Sequence, residues 1–210
     1  MNLLGIESSS RKLSVGLMKE KSFFELNSEK INDTANSLPQ LSKKIISNAS
    51  LGFEDLDAIC ISAGPGSFTG LRVGMSYAKG IAMALDIPII PVSTFDSLAY
   101  NNLSEELSTL IYSHGNTFYI CKYNLDNGIL LKSSEPKSIL KENFLELSHD
   151  IVFNGPMNIF EDLKANNLKI EFKDLSVNNI IKIAHQNFKL LKTKSLDNLM
   201  PEYVGNFEVK

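Results

Sequence analysis

Apolar residues open the chain in two short runs, 2–7 and 12–19, separated by Ser8-Ser9-Ser10-Arg11. Two strand-length runs joined by a turn-rich tetrad predict a β-hairpin, and 21–28 supplies a third strand. From 33 to 50 the period changes. Leu38, Leu41, Ile45 and Ala49 recur three or four residues apart, the spacing of an amphipathic helix. Pro39 fits that helix only in its first turn. Residues 57–63 form a short apolar run, as expected of a strand buried on both faces. A Gly-Pro-Gly turn follows, then a helix over 69–85, a strand over 87–92 and a helix over 94–102. The second half repeats this order more faintly. Strands near 108–113 and 117–124 flank Gly115-Asn116, a hairpin turn signal. Strand 150–154 runs into Gly155-Pro156 and a helix. Val177, Ile180, Ile181, Ala184, Phe188 and Leu191 mark a helix over 176–191. Hairpins followed by alternating strands and helices predict an α/β chain of two lobes, each a mixed sheet with flanking helices. The lobes are expected at 1–103 and 104–210, with a C-terminal tail free to pack back on the first.

Composition narrows the function. Hydrophobic residues make up 43% of 210, enough for a real core, and the formal net charge is −3. Only two of the 21 basic residues, Arg11 and Arg72, are arginines. Arginine is the preferred residue for bidentate phosphate and base contacts, so a conventional nucleic-acid reader is disfavoured. Cys60 and Cys121 sit far apart in apolar runs and read as reduced thiols of a cytoplasmic protein. The N-terminal run stops at Glu7 and lacks the basic start of a signal peptide. No window reaches the ~20 apolar residues of a membrane span.

Familiar catalytic patterns fail on spacing. From Gly64 or Gly66, the frame of a phosphate-binding P-loop lands on Thr69 or Leu71 where lysine is required. The dinucleotide fingerprint is also one residue out, because Gly70 comes late. His114, His149 and His185 are too scattered to form a helical metal pair, and read as surface or half-buried side chains.

Residues 64–74, Gly-Pro-Gly-Ser-Phe-Thr-Gly-Leu-Arg-Val-Gly, are the most unusual stretch. A tight turn with a hydroxyl cap accounts for Gly64, Gly66 and Ser67. It does not account for Gly70 and Gly74 inside a helix, each costing about 1 kcal/mol relative to alanine. Gly66, Gly70, Gly74, Ala78 and Ala82 recur every fourth residue, a stripe that lets another backbone approach closely. Either the stripe packs inside the chain or it forms, with helix 33–50, a protein–protein interface through Leu38, Leu41, Ile45, Gly70, Leu71, Val73, Gly74, Tyr77, Ala78 and Ile81. On the interface reading, a large residue at Gly74 or Ala78 blocks the partner without unfolding the chain. Glu7, Ser8, Ser9, Gly64, Gly66, Ser67 and Thr69 form a second candidate, an anion or nucleotide loop at a helix N-terminus.

These residues resemble a known family. The 64–74 segment with Ala78-Lys79-Gly80, the opening Leu4-Gly5-Ile6-Glu7-Ser8-Ser9 with Ser14-Val15-Gly16-Leu17, Pro91-Val92-Ser93-Thr94-Phe95 and Pro201-Glu202-Tyr203-Val204 are similar to bacterial TsaB (YeaZ) tRNA threonylcarbamoyladenosine biosynthesis proteins. The family usually has Asp where Glu7 stands. The resemblance implies an actin-like (ASKHA) fold of two ribonuclease H-like lobes. It implies a non-catalytic activating subunit, with no cofactor of its own. The partners would be the catalytic paralogue TsaD, the ATPase TsaE and, through the complex, tRNA, with a homodimer when alone. ATP and threonylcarbamoyl-adenylate would be handled by the partner subunits, the product being modified adenosine 37 of ANN-decoding tRNAs. The catalytic paralogue carries two metal-binding histidines on its first helix; Thr34–Ser42 here has none, so no metal site is expected. The second hairpin, Ser113-His114-Gly115-Asn116-Thr117, also lacks the acidic residue of an actin-type phosphate loop. The rival reading is a small-molecule kinase or nucleotide hydrolase of the actin-like class with Glu7 holding Mg²⁺. A peptidase is a weaker rival.

Overall fold

The computed structural model describes residues 1–144, 147, 149–166 and 168–204. The chain forms two compact units. One comprises Met1–Ser97 and Leu175–Glu202, the other Leu98–Asp174 with Tyr203 and Val204 among the described residues. The second unit is therefore not 104–210, because the helix after residue 175 belongs to the first.

In the first unit, β1 (Asn2–Glu7), β2 (Ser14–Lys19) and β3 (Ser22–Asn27) form an antiparallel meander. α1 (Thr34–Asn48) follows, then β4 (Ala58–Gly64), α2 (Phe68–Leu85), β5 (Ile89–Ser93) and α3 (Thr94–Ala99), whose last two residues fall in the second unit. β4 pairs parallel with β1 and β5 parallel with β4, giving the order β3-β2-β1-β4-β5. Every residue of β4 is buried, as its unbroken apolar run requires. Leu4, Ile6, Leu38, Ile45, Ile59, Ile61, Met75 and Ala78 belong to one core that α1 and α2 share with the sheet.

Three element boundaries differ from the expected ones. Pro39 lies inside α1, beyond its first turn. Pro39 and Ala35 are both exposed, so water can reach the carbonyl that loses its amide partner. α3 stops at Ala99, ahead of a turn with Asn101 at φ 61°. The helix expected over 176–191 is two: α5 (Val177–Gln186) and the single turn α6 (Phe188–Leu191), separated at Asn187, whose side-chain amide donates to the Ile183 carbonyl.

The second unit contains β6 (Glu106–His114), β7 (Thr117–Asp126), β8 (Ile129–Lys132), β9 (Lys137–Leu140), β10 (Asp150–Asn154), α4 (Met157–Lys164) and β11 (Ile170–Phe172). The order is β11-β10-β6-β7-β8, with β9 also on β7. It matches the first sheet strand for strand: an antiparallel pair, then two parallel additions beside its first strand. Phe118, Phe144, Phe153 and Phe160 pack its core, with Phe118 and Phe144 edge to face at 4.9 Å. Among the described residues, no helix is long and apolar enough to cross a membrane.

Candidate functional site

The two predicted sites converge on one place, the carboxyl ends of β1 and β4 and the start of α2. Glu7 ends β1, fully buried, opposite Ser14 in the β1–β2 register. Its Oε1 accepts from the Ser9 amide at 2.6 Å and from the Ser9 hydroxyl. Oε2 is buried without a hydrogen-bond partner among the described residues, as are the Ser8 and Ser14 hydroxyls. Burial pushes the Glu7 carboxyl up to about 7, against smaller opposite effects of Ser9 and Ser62. The Ser8 amide donates to Ser62 Oγ at 3.1 Å. Ser14 and Ser62 were missed in the sequence, where a serine inside an apolar run carries no signal.

The backbone that approaches the glycine stripe is the chain's own. A Cβ on Gly66 would overlap the Ser9 carbonyl, one on Gly70 the Ser8 carbonyl, and one on Gly74 the Ser8 hydroxyl. The Ser67 amide donates to the Ser9 carbonyl at 2.6 Å, and Ser67 Oγ caps α2 by accepting from the Gly70 amide at 3.2 Å. Ser9 thus occupies part of the ground that an anion would need. Thr69 is exposed on the first turn of α2.

Six of the ten proposed interface residues, Leu38, Ile45, Gly70, Leu71, Gly74 and Ala78, are buried within the chain itself. They form the floor of the helix pair and not its outer surface. Leu41, Val73, Tyr77 and Ile81 are half-buried on top of that core. Val73, Tyr77 and Ile81 are four residues apart and form one row on α2. Gly80 and Ala84 extend the same face, both exposed, with open space around Gly80. At the start of α2, the Arg72 guanidinium lies 3.6 Å over the ring of the partly exposed Phe68. The expectation that bulk at Gly74 or Ala78 spares the fold is therefore corrected: Gly74 has Ser8 against it and Ala78 is fully buried.

In the second unit, His149 Nε2 lies 2.7 Å from Ser108 Oγ, and its Nδ1 lies 3.8 Å from Glu106. Desolvation, then Lys122, lowers the His149 pKa. Ser108 is fully buried. Among the described residues no group of three or more His, Cys, Asp or Glu side chains is placed to hold a metal ion.

Residues 31–199 match the family model of TsaD, tRNA N6-adenosine threonylcarbamoyltransferase. The TsaB protein of Bacillus subtilis is 28% identical over 70% of this chain, a stretch that spans 66% of the relative, just under two thirds of its length. The TsaB protein of Escherichia coli is 26% identical over 98% of this chain and 95% of its own. Both are named tRNA threonylcarbamoyladenosine biosynthesis proteins. The structure of YeaZ from Pseudomonas aeruginosa superposes on 97% of this chain and 99% of its own with a TM-score of 0.78 at 20% identity, showing a shared fold. The chain therefore belongs to the TsaD family, is similar within it to the TsaB proteins, and shares the fold of YeaZ.

Proposed function

We propose that this chain is the activating, non-catalytic subunit of a tRNA threonylcarbamoyl transferase, working in the cytoplasm beside a TsaD-type catalytic subunit and a TsaE-type ATPase. The supporting observation is the outer face of the α1–α2 pair. Val73, Tyr77 and Ile81 remain half-buried on a fully packed base, and Gly80 and Ala84 continue them without a charge. An uncharged strip on a rigid helix pair suits docking of another protein. The same face would serve a homodimer when the chain is alone, so the two assemblies would exclude one another. Chemistry on this subunit is disfavoured from two sides. α1 carries no histidine with which to build the metal site of the catalytic paralogue. The helix start that would hold phosphate is capped by Ser67 and met by the Ser9 carbonyl. ATP, threonylcarbamoyl-adenylate and tRNA are then handled through the partner subunits.

The test is reconstitution from purified parts with ATP, tRNA and threonylcarbamoyl-adenylate. Modified adenosine is expected only when this chain joins the TsaD- and TsaE-type proteins. Tyr77→Ala combined with Ile81→Arg should keep the melting temperature within a few degrees and remove partner binding. Equal product with and without the chain overturns the proposal. Tight Mg–ATP binding by the isolated chain would instead favour the nucleotide-hydrolase reading.

A further inference from the structure

The motif Pro201-Glu202-Tyr203-Val204 is not absorbed by the docking face. Its first two residues belong to the first unit, and their place there gives them a role. After α6, Thr193 exchanges two hydrogen bonds with Ile89 on β5, at 2.9 and 2.8 Å. Leu196 and Leu199 then pack against the core that α1 and α2 share with the sheet. The chain finally crosses the end of β4, where the Glu202 amide donates to the Ala63 carbonyl at 2.7 Å. One residue on, Gly64 has φ +116°, and a Cβ there would lie 2.5 Å from the Glu202 carbonyl oxygen. The crossing is thus backbone on backbone, at a position only glycine fills without strain.

Gly64 opens the four-residue turn that leads to Ser67, the cap of α2. A second remote segment grips the same turn, through the Ser67 amide on the Ser9 carbonyl. Two distant backbones therefore fix where α2 begins. Because α2 is one rigid element, a shift at its cap moves Val73 and Tyr77 about two and three turns further on.

We propose that Leu199–Glu202 is a backbone strap that sets the position of α2, so that the partner-facing row is presented correctly only while the strap is seated on β4. The inference rests on the docking role assigned above to that row.

The experiment uses the full chain and two variants. Glu202→Pro removes the amide donated to Ala63. Pro201→Gly keeps the donor and only frees the backbone before it. Hydrogen exchange reports the turn and the first turns of α2, and biosensor titration reports binding of the TsaD-type subunit. Glu202→Pro is expected to speed exchange over residues 65–75 and weaken the partner at least tenfold with unchanged far-UV circular dichroism. Pro201→Gly should do the same at smaller amplitude and is the deciding variant if Glu202→Pro does not fold. Unchanged exchange over 65–75 overturns the strap, and so does faster exchange with partner affinity within twofold of wild type. If the wild-type chain itself fails to bind, the docking role falls, and the exchange data still decide whether the strap holds the turn.

Discussion

Burial keeps Glu7 protonated over a range in which an exposed glutamate is ionised. Its carboxyl lies near 7 in the folded chain against 4.5 for the free group. Folding therefore takes up a proton between those values. The group's contribution is fully present below about pH 4.5 and is lost as pH rises through 7, a swing of about 3 kcal/mol. Glu7→Gln should abolish that swing. The gap in unfolding free energy between variant and wild type, followed by urea denaturation across this range, should move in favour of the variant as pH rises. Parallel curves would show that Glu7 is ionised in the folded chain. The neighbouring glycines give a second outcome at this scale. Gly74→Leu should cost the chain itself more than about 2 kcal/mol, because even its Cβ would overlap the Ser8 hydroxyl and touch Ile61, leaving no room for the rest of the side chain. A normal melting temperature for that variant would contradict the packing described.

At the scale of elements, the sheet face opposite α1 and α2 is built for α5. A Cβ on Gly5 would lie 2.5 Å from Ile181 Cγ1 and 2.8 Å from Val177 Cγ2, and one on Gly16 would lie 2.9 Å from Ile181 Cδ1. The two glycines are cross-strand partners, so together they form a flat seat for Ile181, which is fully buried. Gly5→Ala should destabilise by ~1–3 kcal/mol and Ile181→Ala by ~2–5 kcal/mol. The double variant should cost less than the sum, because each change relieves the other. Additive losses in a double-mutant cycle would show that α5 seats elsewhere.

The same contact marks what the sequence could express. The stripe of Val177, Ile180, Ile181 and Ala184 announced a helix with a buried face, but nothing local says which sheet it covers. That choice depends on Gly5 and Gly16, more than 150 residues away in the chain. Likewise, a four-residue glycine spacing on α2 announced a close backbone approach and left its source open. The source is Ser8-Ser9, a turn whose own residues read as an ordinary hairpin. Strands were legible where apolar runs were long. The short strand β11, of three residues, and the edge strands β8 and β9, with Ile129 and Leu131 exposed, carry too little pattern to be seen.

Over the whole molecule, the two sheets share one strand order, which the faint repetition of hairpin, strand and helix had suggested. Charge is the other whole-chain property with a consequence. With 21 basic against 24 acidic residues, the chain has no excess of positive charge to neutralise phosphates. The isolated chain should bind tRNA no tighter than about 100 μM near 0.15 M salt, the weak end of non-specific binding. Fluorescence anisotropy with labelled tRNA would reveal it. Low-micromolar affinity would make this chain an RNA reader in its own right.

The first unit is discontinuous, and the ribosome must respect that. Residues 1–97 emerge first, yet α5, which covers one face of their sheet, comes only after the whole second unit has been made. At ~5–20 residues per second the interval is on the order of seconds. During it, Gly5, Gly16 and the apolar residues around them face solvent or a chaperone. A half-made chain is thus a sheet with one bare side, and α5, translated late, is what makes the first strands safe from aggregation.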